Sequence, residues 1–216
     1  MKTRTILLIV LFLTALGSFY WISQAALGGH DNAFDLRIME LRKSFVTPAL
    51  VRLMKGITFL GDRRFLLPAY CLLAGIILIR RNYPLAIMIA CAGIGAGLLD
   101  DLFKDIYQRT RPGSQEIAQL TTYSFPSGHA SASFVFGSVL IFLTWQMKWP
   151  NRWKWMLSIF LFFFILTVGF SRIVLNVHYA TDVVGGFLLG LMWVIVCYAV
   201  VQKVNRIGGK TIIGND

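Results

Sequence analysis

The sequence predicts an all-α, polytopic membrane protein: a bundle of six transmembrane helices, with an interfacial helical segment between the first and the second. Three observations carry that prediction. Of the 216 residues, 56% are hydrophobic and only 14% are charged, with a mean hydropathy of +0.66, whereas soluble domains carry about 25% charged residues. The apolar residues fall into six long runs, each near the roughly 20 residues that cross ~30 Å of hydrocarbon as a helix. Polarity does not alternate within the runs, which argues against barrel strands. The same composition excludes a disordered chain and a small disulfide scaffold, and it argues against an ordinary soluble enzyme.

The first run, residues 5–22, follows Lys2 and Arg4 and ends in the bulky Phe19-Tyr20-Trp21. It reads as a retained helix rather than a cleaved signal, despite the small residues Ala25 and Ala26. Residues 23–64 form the longest polar connection, and His30 reads as one of its loop residues. Within it Val46, Leu50, Leu53, Met54 and Ile57 recur at helical spacing, with Arg52 and Lys55 on the opposite face. That pattern fits a helix lying in the outer interface, and equally one packed on the bundle. The second run, residues 65–79, is short and can borrow from the preceding segment; the third is 84–103. The last three are 130–149, 155–170 and 183–201. Trp21, Trp145, Trp149, Trp153 and Trp155 lie near run ends, where interfacial aromatics sit. Gly93-x3-Gly97 and Gly186-x3-Gly190 suit close helix packing. Cys71, Cys91 and Cys197 lie inside apolar runs and read as packing residues. With no repeat or linker, residues 1–216 read as one domain, its motif-bearing core at about 84–203.

The formal charge is +11, from 21 Lys and Arg against 10 Asp and Glu. In a soluble chain this excess would suggest nucleic acid. Here the charges sit between apolar runs, so no nucleic acid is expected and membrane topology is the better explanation. With the N-terminus inside, the inner segments carry Lys2, Arg4, Arg80, Arg81, Lys148, Arg152, Lys154, Lys203, Arg206 and Lys210, opposed only by Asp216. All other acids lie outside. The positive-inside rule therefore predicts both termini in the cytoplasm of an inner (plasma) membrane protein.

Three polar clusters lie at run ends on one predicted outer side. The first contains Lys104 and Arg111, seven apart and so on one face if the helix continues, with Pro112 stopping it there. Such cations are also common helix-dipole partners. The second is Ser124-Phe125-Pro126-Ser127-Gly128-His129. It suits ordinary capping, and it also offers free backbone N–H groups and a positive dipole end to an anion. The third holds Ser171, Arg172, His178 and Asp182. On a helix His178 and Asp182 could meet, the carboxylate fixing one ring nitrogen and leaving the other reactive. A plain loop His–Asp link fits as well.

Together, Lys104-x6-Arg111-Pro112, Pro126-Ser127-Gly128-His129 and Ser171-Arg172-x5-His178-x3-Asp182 make eleven fixed positions. In order and spacing the chain resembles the type 2 phosphatidic acid phosphatase family. That family is membrane-embedded and shares its anion site with soluble vanadium haloperoxidases, a branch the hydropathy argues against. The resemblance implies a metal-independent lipid phosphatase or pyrophosphatase that needs no cofactor. It would act on a bilayer-held lipid phosphate reached from the extracytoplasmic face. Undecaprenyl pyrophosphate, phosphatidylglycerophosphate, phosphatidate and a lipid A phosphate all fit.

The resemblance also implies the roles. His178 would be the nucleophile of a phosphohistidine intermediate, Asp182 its orienting carboxylate and His129 the general acid. Lys104, Arg111, Arg172, Ser127 and Gly128 would hold the phosphate oxygens. No set of residues has metal-ligand spacing, and Asp100, Asp101 and Asp105 read as charge balance for the cations. Arg109 reads as solvated or as a headgroup contact. Transfer of phosphate to a lipid or sugar hydroxyl would use the same residues. A polytopic transporter is the reading from another class, but no charge falls near the middle of a run.

Overall fold

The computed structural model describes residues 2–27, 32–117 and 120–208, with side chains through Lys203. His30, Lys210 and Asp216 lie outside the described residues, as do the side chains of Lys2 and Arg206. Among the described residues there are eight helices and no strand: α1 (Lys2–Leu27), α2 (Ala33–Phe45), α3 (Pro48–Phe59), α4 (Arg63–Ile79), α5 (Tyr83–Tyr107), α6 (Gly128–Gln146), α7 (Asn151–Val174) and α8 (Ala180–Gly208).

Five of them, α1 and α5 to α8, are long and apolar enough to cross a membrane. Their apolar windows are at most 44% buried, and that of α1 only 11%. Side chains such as Leu98, Phe160, Phe163 and Trp155 point outward. So much exposed apolar surface is stable only in hydrocarbon. The chain is a multi-pass membrane protein. Helix α4 begins at Arg63, two residues before the apolar run, because the Asp62 carboxylate accepts from the Arg64 N–H at 2.8 Å and caps it. Its 17 residues reach about 26 Å.

The segment between the first two runs differs from expectation. It holds two helices, α2 and α3, separated at Val46–Thr47, where Thr47 caps α3 and Pro48 opens it. Met54 is buried, and Val46, Leu50 and Ile57 pack with it against Val174, Leu175 and Val177; Leu53, Arg52 and Lys55 stay exposed. Helix α2 turns Asp35 and Arg42 inward.

Close helix contacts place the motif segments. An added Cβ at Gly186 would strike the Ser127 carbonyl, and one at Gly190 would press on that of Ser131, so α8 lies directly against the start of α6. Gly93 faces the Tyr70 ring, while Gly97 has nothing within 4 Å and plays no packing part. Phe125, fully buried, sits among Phe19 of α1 and Tyr107 of α5. A separate apolar core lies between Ile89, Val135, Val139 and Cys197.

Candidate active site

All three polar clusters arrive at one end of the bundle. Helix α5 stops at Tyr107, earlier than expected, because Gln108 takes a left-handed conformation (φ 47°) and its N–H closes onto the Lys104 carbonyl. Lys104 and Arg111 are therefore not two turns of one helix. Arg111 reaches the site along an irregular segment, pinned by hydrogen bonds to the carbonyls of Thr122 (2.7 Å), Tyr123 (3.1 Å) and Val177 (2.7 Å). Its Nη1 also lies 3.1 Å from His178 Nε2. A guanidinium can only donate, so Nε2 is the acceptor and the ring proton belongs on Nδ1.

His178 does not share a helix with Asp182, because α8 begins only at Ala180. The carboxylate folds back instead. Asp182 Oδ2 accepts from the Tyr179 N–H at 2.8 Å and from Ser124 Oγ at 2.5 Å, and lies 3.5 Å from His178 Nδ1. Ser124 Oγ is itself 3.5 Å from that nitrogen. Burial holds the imidazole well below its usual range, and the charges of Arg111, Arg172 and Lys104 add to that effect. Its neutral, nucleophilic form thus persists at neutral pH. Burial also lowers Arg111.

The remaining residues face the same space. Ser127 opens α6 without a side-chain cap bond, its N–H donating to the Asp182 carbonyl at 2.9 Å. Its buried Oγ has no partner among the described residues. Arg172, 2% exposed at the end of α7, donates from Nη1 to Thr58 Oγ1 at 2.6 Å, while its Nε also has no partner among the described residues. His129, in the first turn of α6, feels Arg172, His178, Lys104 and Arg111 electrostatically, and its Nε2 is 3.7 Å from the Asp62 carboxylate. Lys104 pairs with Asp100 at 2.5 Å. Gly128 is required by that carboxylate, which a Cβ there would overlap. The eight residues expected from sequence are thus brought together.

Asp100 balances the site cation Lys104, whereas Asp101 pairs at 2.6 Å with the exposed Arg63 outside the predicted cation set, and Asp105 is exposed. Arg109 corrects its reading as solvated. It is 9% exposed, lies 4.1 Å from the Tyr179 ring centroid, and bridges Asp182 (2.6 Å) and Asp35 (2.8 Å). Its long neighbour interval to both acids in sequence gave no sign of this. Asp35 and Arg42, seven apart on α2 and hence on one face, were the one available clue. Arg42 donates to the Val174 carbonyl at 2.9 Å and pairs with Glu116, tying α2 to the segments beside the site. Asp62 and Thr58 were also not foreseen. Among the described residues no three His, Cys, Asp or Glu side chains gather as a metal site. A cavity of about 600 Å³, lined by Trp149, Pro150, Trp153, Met156, Leu157 and Phe160, lies at the α6–α7 turn, away from these groups.

The PAP2 superfamily profile matches residues 82–206, which contain all three clusters. The chain belongs to the PAP2 superfamily. It is 32% identical to phosphatidylglycerophosphatase B of Bacillus subtilis over 197 residues, covering 89% of this chain and 96% of that one. An undecaprenyl-diphosphatase of Sulfolobus acidocaldarius is 27% identical over 171 residues, covering 76% and 77%. The crystal structure of a transmembrane PAP2-type phosphatidylglycerolphosphate phosphatase from Bacillus subtilis superposes with a TM-score of 0.80 at 29% identity, covering 90% of this chain and 98% of that one. As a PAP2 member with this constellation, the chain is a membrane lipid phosphatase.

Proposed function

We propose that the protein hydrolyses the terminal phosphate of a membrane lipid through a phosphohistidine on His178. Phosphatidylglycerophosphate is the favoured substrate, on the near full-length similarity to a phosphatidylglycerophosphatase. Undecaprenyl pyrophosphate is the second, on the similarity to an undecaprenyl-diphosphatase. One observation carries the mechanism: His178 Nε2, the unprotonated nitrogen, lies 3.1 Å from an Arg111 donor. A phosphate oxygen taking that donor brings phosphorus to the nucleophile.

In this reading Nε2 attacks phosphorus and the P–O bond to the lipid breaks. His129 gives its proton to the leaving oxygen, and then takes one from the water that cleaves the phosphohistidine. Asp182 holds the Nδ1 proton and balances the positive ring. Arg111, Arg172, Lys104, Ser127 Oγ and the Gly128 N–H bind the non-bridging oxygens, and their charge stabilises the transition state without a metal or cofactor. The unpartnered Ser127 Oγ and Arg172 Nε support this assignment, because buried polar atoms are otherwise satisfied.

The topology completes the proposal. Helix α4 crosses the bilayer as the sixth span. Its support is the placement of its first turn, where Asp62 meets His129, and of Arg80 and Arg81 at its other end. Both termini then lie in the cytoplasm and the site at the extracytoplasmic face of the inner membrane, with α2 and α3 in the outer interface. Residues 1–216 act as one domain. Phosphate release from these two lipids by purified protein and by His178→Ala tests the activity. Reporter fusions test the orientation, and a cytoplasmic position for residues 104–129 would overturn it.

A further inference from the structure

Helix α2 belongs to none of the three motif segments, yet its one buried carboxylate sits directly behind the histidine–aspartate pair. Asp35 is 2% exposed. Its Oδ1 accepts from the Thr181 N–H at 3.0 Å. Its Oδ2 accepts from the Thr181 hydroxyl at 2.6 Å and from Arg109 Nη2 at 2.8 Å. Arg109 Nη1 in turn donates to Asp182 Oδ1 at 2.6 Å and to Thr181 Oγ1 at 2.7 Å. The two oxygens of Asp182 are thereby divided: Oδ1 faces Arg109 and Oδ2 faces His178 Nδ1.

Charge counting gives this division a consequence. A lone Arg109–Asp182 pair would be neutral, and the guanidinium would cancel much of the field that Asp182 exerts on the imidazole. With Asp35 on the other side, one guanidinium serves two carboxylates and the buried cluster keeps one net negative charge. Burial works against the Arg109 charge, but Asp182 and Asp35 outweigh it and raise that group.

Resting on the reading of His178 as nucleophile, we propose that Asp35 is a positioning residue that shares Arg109 with Asp182, so that Asp182 keeps its negative charge for His178. The buried cluster then opposes the positive charge that develops on the ring when it is phosphorylated. The other groups facing His178 all act in the opposite sense or are neutral: Arg111 beyond α5, Lys104 on α5, Arg172 on α7 and His129 on α6. The Asp35–Arg109–Asp182 cluster is the counterweight to three cations.

The test is the pH dependence of kcat/KM with dioctanoyl phosphatidylglycerophosphate and full-length protein in detergent. The acidic limb reports protonation of the nucleophile in the free enzyme. Asp35→Asn removes a negative charge, so the limb moves to lower pH by about half a unit or more. Its kcat falls roughly 10- to 100-fold, by analogy with outer-shell partners of metal ligands, while KM stays within about twofold of wild type. Arg109→Gln removes the opposing charge and moves the limb to higher pH. Arg109→Lys and Asp35→Glu, which keep the charges, leave the limb near its wild-type position. Thr181→Ala breaks bonds in the same cluster without changing charge, and its limb stays in place. Opposite shifts for Asp35→Asn and Arg109→Gln support the proposal. Identical limbs in Asp35→Asn, Arg109→Gln and Thr181→Ala overturn it and leave a purely structural cluster. If Asp35→Asn does not fold, the Arg109→Gln and Thr181→Ala pair decides alone. Full activity in His178→Ala would remove the nucleophile assignment itself. An inactive His178→Ala with unmoved limbs removes only the role of Asp35.

Discussion

The two sides of the site are built differently. On the α8 side His178, Asp182, Ser124, Arg109, Thr181 and Asp35 form a closed network, in which His178 is 3% exposed and Asp182 is fully buried. On the α6 side Ser127 Oγ and Arg172 Nε, both able to donate, are buried with no partner among the described residues, and His129 Nε2 lies 3.7 Å from the Asp62 carboxylate. Buried polar atoms left bare cost free energy unless something meets them. In the proposed mechanism this contrast means that the nucleophile is set before substrate arrives, while the phosphate itself completes the anion-holding side.

Substitutions on the two sides test that difference. The largest effect belongs to His178→Ala: loss of phosphate release by about a thousandfold or more, with no phosphoenzyme. Arg172→Ala removes a charged donor that the proposed mechanism places on the transition state, and lowers kcat/KM roughly 100- to 1,000-fold. A Lys substitution recovers only part, because it lacks the fork. His129→Ala lowers phosphate release from a lipid phosphate by about 100-fold. With p-nitrophenyl phosphate, whose leaving group needs little protonation, the loss shrinks to about tenfold or less. An equal loss on both substrates would remove His129 from the acid role. Ser127→Ala deletes one hydrogen bond to a charged group and costs roughly tenfold in kcat/KM.

The smallest effect is in pH. Because burial and three cations lower His178, its neutral form survives acidification, and the acidic limb of kcat/KM lies below the 6.5 of a free imidazole. A limb above that value would mean the nucleophile is not held neutral as described.

The contrast between the two sides also explains what the sequence disclosed. The α6-side groups sit in short motifs whose chemistry is local: a Ser-Gly-His helix start and an arginine at a helix end can be read without knowing the fold. The apolar runs were equally legible, since the bilayer fixes their length. The α8-side support was not legible. Arg109 looks like one more cation among Lys104 and Arg111, and only the left-handed turn at Gln108 swings it inward. Asp35 lies 147 positions from Asp182 and 74 from Arg109, so no local pattern links them. Helix α2 itself was hidden because its buried face carries charges rather than apolar residues. The His178–Asp182 spacing suggested a helical pair, yet the carboxylate reaches the ring from the first turn of α8 across a break in the helix.

In the proposed reaction phosphorus passes through one nitrogen, Nε2 of His178. The direct measurement is rapid acid-free quenching of wild-type protein during turnover of a labelled lipid phosphate, followed by mass spectrometry of the trapped peptide. The expected result is an acid-labile phosphate on His178 that disappears on chase with unlabelled substrate, and no label in the His178→Ala protein. A phosphate found on His129, or steady turnover by His178→Ala, would contradict it.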